Sequence, residues 1–541
     1  MLGQMQDWPL LIHKIIDCAA LQHPRQEVVS RLVEGPIVRA TYAQVRARAL
    51  KVAQRLARDG IKPGDRVATL AWNNQRHLEA WYGVAGLGAI CHTVNPRLFP
   101  EQIVWIMNHA EDRIALVDLT FVPLLEAIAP KLPTIERYVV LTDAANMPPT
   151  KLKNAISYEE WIGDVDGDFR WPSFDENTAA GLCYTSGTTG NPKGVLYSHR
   201  SNVLHSLFTS GLEVMAIGPS STVLPVVPMF HANSWGIAFT APMKGAKLVM
   251  PGGKLDGASI YELLETEQVS FSAAVPTVWM MLLAYMRKES KTLSSLKCVV
   301  IGGSACPPAI IKAFEDDYGV EVRHAWGMTE MSPLGSVCSI KPTTPIKTRE
   351  DALEVKNKQG WPPFGVEMKI VDDEDKPLPW DGVRFGRLKV AGAAVAKRYF
   401  KEERDCVDAS GFFDTGDVAT VDENGYMHIT DRAKDVIKSG GEWISSIDIE
   451  NLAVGHPDVA EAAVIGIRHP KWDERPLLIV VPKEGKQPTA PDVLGFLEGR
   501  IAKWWMPDDM QTVSEIPHTA TGKINKLKLR EAFKDYRLPT A

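Results

Sequence analysis

The stretch Tyr184-Thr185-Ser186-Gly187-Thr188-Thr189-Gly190-Asn191-Pro192-Lys193-Gly194 decides how this chain is read. Between Thr185 and Gly194 it places four hydroxyl side chains, three glycines and one lysine. Glycines allow positive φ and let consecutive backbone N–H groups converge on an anion. The hydroxyls add donors and Lys193 adds charge, so the pattern is that of a loop that cradles phosphate. A solvated surface turn also carries Gly, Ser and Thr, but rarely at this density and ending in Pro-Lys-Gly. A Walker A loop ends in Gly-Lys-Ser/Thr. Here Lys193 is followed by Gly194, which argues against a P-loop kinase or GTPase.

The segments around the loop alternate in character. Tyr42, Val45, Ala49, Val52, Ala53 and Leu56 recur at helical spacing, and Gly60 can stop that helix. Pro63-Gly64-Asp65 then turns into a strand from Arg66 to Ala71, and a helix near 77–88 leads into a strand near 89–94. Downstream, Cys298-Val299-Val300-Ile301 runs into Gly302-Gly303-Ser304, as when a buried strand delivers a ligand-binding turn at its carboxyl end. This alternation predicts an α/β fold of mixed α+β layers.

A chain of 541 residues is too long for one core, so two or more domains are expected. The composition changes near 431, where Asp431-Arg432-Ala433-Lys434-Asp435 forms a charged connector. Beyond it, strands are expected over 459–467 and 476–481 and a helix over 493–503. The sequence predicts a large N-terminal domain of layered sheets and helices over 1–430, a hinge at 431–436, and a small mobile α+β C-terminal domain over 437–541.

Apolar residues are 45%, charged residues 23%, and the net charge is −6. Nothing there draws the chain to nucleic acid. The seven cysteines form no CxxC pair and read as buried free thiols of a reducing compartment. Ile12, Ile15, Ile16 and Ala19 mark an amphipathic helix rather than a leader. No uncharged apolar run approaches the roughly 20 residues of a membrane span, so a cytoplasmic protein is expected.

Ser186-Gly187-Thr188-Thr189-Gly190-Asn191-Pro192-Lys193 resembles the signature of the adenylate-forming superfamily, which includes acyl-CoA synthetases, luciferases and the adenylation domains of peptide synthetases. Further signatures stand in the family's order: Pro228-Met229-Phe230-His231, Gly302-Gly303-Ser304, Trp326-Gly327-Met328-Thr329-Glu330, Thr415-Gly416-Asp417, Asp431-Arg432 and Thr521-Gly522-Lys523. Each is weak alone; the ordered set is specific and spans essentially the whole chain. The resemblance implies that ATP activates a carboxylic acid as acyl-AMP, pyrophosphate leaves, and the acyl group passes to CoA.

It also implies roles for residues. Lys523, Glu330 and His231 are the expected catalytic residues. Lys523 matches a lysine that touches both the substrate carboxylate and the phosphate side of the site. Glu330 matches a Mg²⁺ ligand, with Thr185 as a second contact. Thr185, Ser186, Gly187, Thr188, Thr189, Gly190 and Lys193 hold phosphates. Trp326, where relatives usually have Tyr, can stack on adenine in a pocket lined by Gly303, Ser304, Ala305, His324 and Ala325. Gly327, Met328 and Thr329 continue that wall. Asp417 can accept both ribose hydroxyls, and Arg432 can add a donor.

His231 with Gly302 and Trp235 belongs to the acyl pocket, Trp235 resembling an aromatic gate. Lys434 matches the hinge about which the small domain turns. That turn would withdraw Lys523 and bring in Lys438, Gly440, Gly441, Glu442 and Trp443 for the CoA step, with Lys438 and Arg475 contacting CoA. ATP, Mg²⁺ and CoA are implied, and a homodimer is the family's assembly. Asn95-Pro96-Arg97-Leu98 and the Ser439–Ser445 string resemble fatty acyl-CoA synthetases. A short or medium-chain acid is expected, with a medium- or long-chain fatty acid as the alternative. A luciferase-like oxidase and a non-catalytic nucleotide sensor are the competing classes.

Overall fold

The phosphate-loop stretch is the connection of a β-hairpin: strands Ala179–Tyr184 and Gly194–Ser198 pair antiparallel, with Tyr184 opposite Gly194. The structure is a computed structural model of the 541-residue chain; it describes all residues except 2, 186–190, 441 and 519–522, and only the backbone of residue 442. The hairpin closes one edge of a seven-stranded sheet. Its other strands, Arg66–Leu70, Ile90–Thr93, Asp112–Val117, Arg137–Val140 and Ala155–Ser157, run parallel.

Parallel strands need crossovers, and the helix pair Tyr42–Arg58 and Gln75–Leu87 covers this sheet. The first helix opens on a capping box between Thr41 and Gln44 and buries the predicted apolar face. After it Gly60 takes a φ of +82°, which only glycine adopts without strain. Gly83 of the second helix lets the two approach; a Cβ there would lie 2.5 Å from Val52 Cγ1.

An eight-stranded sheet packs alongside. The expected strand Cys298–Ile301 lies inside it, parallel to Phe271–Ala274 and Glu321–Gly327. A four-stranded antiparallel sheet follows, made of Val366–Val371, Gly386–Gly392, Phe413–Val421 and Met427–Arg432. Past it the small C-terminal domain forms around the long antiparallel pair Val459–His469 and Asp473–Pro482, which carries the two strands expected there. The large N-terminal and small C-terminal domains match the predicted fold class. The helix expected over 493–503 is instead Ala490–Leu497. Thr489 caps it early, Glu498 leaves helical geometry, and Gly499 turns the chain at φ +74°.

Five of the seven cysteines are buried free thiols; Cys406 is half-buried and Cys18 exposed. Among the described residues no helix is long and apolar enough to cross a membrane.

One buried side chain stitches the two large sheets together at their carboxyl ends. Asn73, 2% exposed, follows strand Arg66–Leu70. Its Nδ2 donates to the carbonyls of Pro225 and Val227, both at 2.9 Å, and to Ser234 Oγ at 3.2 Å. Its Oδ1 accepts from the Met229 amide at 2.6 Å. Replacing it with alanine removes this partner from the Met229 amide and the Pro225 carbonyl, while Ser234 Oγ and the Val227 carbonyl keep each other; the cost is about 1–3 kcal/mol for each group left unsatisfied. Asn73→Ala is therefore expected to lower the urea midpoint clearly. An unchanged midpoint would contradict this role.

Candidate active site

The site gathers at the strand ends where the sequence put its glycines. After Ile301 the chain turns through Gly302 and Gly303, the latter at φ +83°. A Cβ on Gly302 would sit 3.0 Å from the Ala325 carbonyl and 3.4 Å from Trp235 Cη2, so the Trp235 ring packs against this turn. Ser304 is exposed and Ala305 half-buried beside it. His324, expected along the adenine pocket, has its ring turned into the protein. The ring is buried: Nε2 accepts from the Cys306 amide at 3.3 Å, and Nδ1 is 3.0 Å from the Asn357 carbonyl. Burial pushes its pKa down to about 4, so it anchors the glycine turn from behind as a neutral ring.

The neighbouring strand carries Trp326 one residue before its end, and the indole N–H donates to Asp417 Oδ2 at 2.9 Å. The ring needs Gly335 beside it, where a Cβ would meet Trp326 Cζ3 at 2.3 Å. Asp417 Oδ1 pairs with Arg432 Nε at 2.9 Å, and the Asp417 amide donates to Thr415 Oγ1 at 3.1 Å. The carboxylate is thus fixed from two sides, and each oxygen retains accepting capacity. Gly327 passes so close to Pro333 that a Cβ would lie 2.2 Å from its carbonyl. The Met328 amide donates to that carbonyl at 2.9 Å, and the Tyr197 hydroxyl donates to the Thr329 carbonyl at 2.7 Å.

On the phosphate side, the Thr185 amide donates to the Lys193 carbonyl at 2.9 Å, and the Lys193 amide donates to Thr185 Oγ1 at 3.3 Å. These bonds close the loop whose centre, Ser186, Gly187, Thr188, Thr189 and Gly190, lies outside the described residues. Lys193 Nζ lies 4.8 Å from the centre of the Tyr399 ring, and the Tyr399 hydroxyl donates to Glu330 Oε1 at 2.8 Å. The Ala396 amide donates to the Glu330 carbonyl at 2.7 Å and the Phe400 amide to the Gly194 carbonyl at 2.8 Å. Segment 394–400 is therefore a strap tying the base of the phosphate loop to the Glu330 turn. Sequence reasoning missed Tyr399, because nothing local to Lys397-Arg398-Tyr399-Phe400 shows what its hydroxyl reaches.

Lys523 stands among Arg432, Asp417 and Glu330. Burial and the Arg432 charge push its pKa down to about 8, against the pull of Asp417 and Glu330. Its side chain is nevertheless exposed to solvent. His231, half-buried, is pushed down to about 4 by burial and then by the charges of Arg97 and Lys523. It is neutral at physiological pH. Arg97 lies over the Trp72 ring at 5.7 Å, and among the described residues no carboxylate pairs with it. Its significance as a site cation was missed in the Asn95–Leu98 string.

After His231 the chain makes a left-handed turn, with φ of +40°, +58°, +56° and +55° at Ala232, Asn233, Ser234 and Trp235. Such backbone costs about 1–2 kcal/mol per residue. Trp81 Nε1 holds Asn233 Oδ1 at 3.1 Å and Asn73 holds Ser234, and together they impose the turn.

In the C-terminal domain, Lys438 Nζ lies 5.3 Å from the Trp443 ring centre. Gly440 has φ +60°, with Trp472 packed where its Cβ would be. Gly441 and the Glu442 side chain lie outside the described residues; the Glu442 backbone belongs to strand Glu442–Ile444. Lys434 is exposed on the connector. Arg475, expected near CoA, is held by partners within its own domain. Its Nε and Nη2 bind Asp508, Nη1 reaches Ser439 Oγ and the Trp504 carbonyl, and Nη2 also reaches the Met506 carbonyl. All three guanidinium nitrogens are thus engaged inside the domain.

The AMP-binding enzyme family matches residues 16–400, and its C-terminal domain matches residues 448–523. The chain belongs to this family of AMP-binding enzymes, and its class is the AMP-forming acyl-CoA ligases. It is 49% identical to the 3-methylmercaptopropionyl-CoA ligase of Ruegeria lacuscaerulensis, over 99% of each chain. It is 48% identical to the medium-chain-fatty-acid–CoA ligase of Ectopseudomonas oleovorans, over 99% of this chain and 98% of that one. Among solved structures, an anthranilate CoA ligase in complex with anthranoyl-AMP superposes with a TM-score of 0.85 at 25% identity, over 98% of this chain and 99% of that chain.

The electrostatics give a direct check. Removing the Lys523 charge should raise the His231 pKa above about 4. An NMR titration of labelled histidine in Lys523→Met reads this, and an unmoved His231 would contradict the proximity of the two groups.

Proposed function

We propose that the enzyme activates 3-methylmercaptopropionate, or a short to medium-chain acid of similar size, and transfers it to CoA. The observation that carries the reaction is the convergence of Lys523, Arg432, Asp417 and Glu330 in one cleft beside the neutral His231. The preference for the acid is supported by the full-length likeness at 49% identity.

In the first half-reaction a substrate carboxylate oxygen bonds to the α-phosphorus of ATP, and the bond from that phosphorus to the oxygen bridging the α- and β-phosphates breaks. Pyrophosphate leaves as acyl-AMP forms. Both reactants are anionic, so charge stabilisation is the main task. Trp326 offers a face to adenine and Asp417 accepts the ribose hydroxyls. Thr185, Lys193 and the loop between them hold the departing phosphates. Lys523 bridges the carboxylate and the α-phosphate, and His231 donates a hydrogen bond to the carboxyl end of the acid.

The site fits Mg²⁺. Among the described residues there is no cluster of three His, Cys, Asp or Glu side chains for a metal. One buried carboxylate, Glu330, held by Tyr399, suits a cation that keeps waters and takes phosphate oxygens. Bound with ATP, Mg²⁺ supplies neutralisation of phosphate charge. In the second half-reaction the CoA sulfur attacks the acyl carbon and loses its proton, and AMP leaves with the carboxylate-derived oxygen. Rotation at Lys434 would exchange Lys523 for the 438–443 segment.

A second reading, a medium-chain fatty acid as substrate, is favoured by the 48% likeness to a ligase of that name. A panel of acids separates the two. The highest kcat/KM is expected for 3-methylmercaptopropionate, and a maximum at octanoate would establish the second reading instead.

Lys523→Ala should reduce ATP–pyrophosphate exchange by about 10²–10³-fold, as loss of one preorganised charge contact does, while largely sparing thioester formation from supplied acyl-adenylate. Undiminished exchange would sink the assignment. The kcat/KM for exchange reports the free enzyme. Because Lys523 loses its proton as pH rises through about 8, that value should fall above pH 8, and Lys523→Arg should remove the fall. Lys434→Pro is expected to spare adenylation and slow thioester formation; equal loss of both steps would argue against a hinge there.

A further inference from the structure

Helix Lys526–Ala532 begins three residues after Lys523. Lys526 and Arg530, four residues apart, share a face of it. They face Asp431 and Asp435, also four apart, which flank Lys434 on either side. Arg530 Nη1 is 2.7 Å from Asp435 Oδ1. Lys526 Nζ is 2.8 Å from Glu450 Oε1 and 3.9 Å from Asp431 Oδ1, and it donates to Ser446 Oγ. Ser446 in turn binds Asp431, through its hydroxyl and through its amide at 3.2 Å. Beside them the Ser445 hydroxyl donates to the Thr430 carbonyl at 2.7 Å.

The cluster is sealed: Asp431 is 1%, Ser446 0% and Lys526 8% exposed. Burial opposes the charges. Lys526 stays well protonated because Asp431 and Glu450 outweigh it, whereas Glu450 is pushed up to about 7 by burial despite Lys526.

The partners of Lys526 belong to different bodies. Glu450 and Ser446 lie on helix Ser446–Ala453 of the small domain. Asp431 lies on strand Met427–Arg432 of the large domain's four-stranded sheet. A turn about Lys434 leaves the Lys526–Glu450 and Arg530–Asp435 pairs within the small domain and acts on the contacts of Asp431.

We propose that the Lys526–Ser446–Asp431 contact is a latch that seats Lys523 for adenylation, making Asp431 and Lys526 positioning residues of the first half-reaction only. The inference rests on the adenylation role given to Lys523 above. Asp431 touches no substrate; it acts by fixing the helix that follows Lys523.

The test compares Asp431→Asn, Ser446→Ala and Lys523→Ala in two assays, ATP–pyrophosphate exchange and thioester formation from supplied acyl-adenylate, with thermal melting of each variant. Asp431→Asn is nearly isosteric and should lower exchange by about tenfold, the size expected for one hydrogen bond to a buried charge, while thioester formation stays within about twofold. Ser446→Ala, which removes the hydroxyl used by both Lys526 and Asp431, should show the same split to a smaller degree. It decides the matter if Asp431→Asn does not fold. An equal fall in both half-reactions, or an unchanged exchange rate, in a variant that melts cooperatively overturns the latch. Exchange that survives Lys523→Ala overturns the underlying reading of Lys523 instead, so the two failures are told apart.

Discussion

A carboxylate attacking a phosphate that is already negative meets electrostatic repulsion, and the arrangement of the cleft follows from that constraint. The cations that could relieve it are few and individually placed. Lys523 lies beside Arg432, whose charge is largely answered by Asp417. Lys193 rests on the Tyr399 ring. Arg97 has no carboxylate partner among the described residues. Burial and the charges of Arg97 and Lys523 keep His231 neutral, so it can donate a hydrogen bond without adding charge. Cations fixed in place before the reaction need not reorganise as the charge develops, which makes each of them more effective than a solvated ion.

The scaffold holds these groups through contacts that are not local. Tyr399 reaches Glu330 from a strap 69 residues away, and Trp326 meets Asp417 across 91 residues. Asn73 ties one large sheet to the other at the point where the left-handed turn begins. That turn is strained, and strain of this kind persists only where the surroundings over-determine it. Here Trp81 and Asn73 do so from the seven-stranded side, and the result places Trp235 against the glycine turn that leads away from Ile301.

How much could be read in advance follows the same division between local and distant. The phosphate loop, the buried strand leading into Gly302 and the helix at Tyr42 announce themselves through glycine placement and periodicity; the structure has the strand, the helix and the hairpin strands that flank the loop. The helix expected over 493–503 went wrong at its ends, because Thr489 is a better cap than the apolar pattern suggested and Gly499 is a stop inside it. Arg475 and His324 have partners that the sequence did not announce. An arginine in a motif region looks available until Asp508, Ser439, Trp504 and Met506 are seen to use its donors. A histidine beside a ligand turn looks like a wall until the Cys306 amide and the Asn357 carbonyl are found on its nitrogens. Saturation by partners distant in sequence leaves no local trace, and neither does the cluster around Lys526 and Asp431.

The central claim is that a carboxylate oxygen attacks the α-phosphorus of ATP in the cleft around Lys523. Isotope transfer tests it most directly. The enzyme is supplied with acid labelled with ¹⁸O in the carboxylate, together with ATP and CoA, and the nucleotide product is analysed by mass spectrometry. The account predicts AMP carrying one ¹⁸O atom and unlabelled pyrophosphate. Label in inorganic phosphate, with ADP as the nucleotide product, would place the attack on the γ-phosphorus and contradict it.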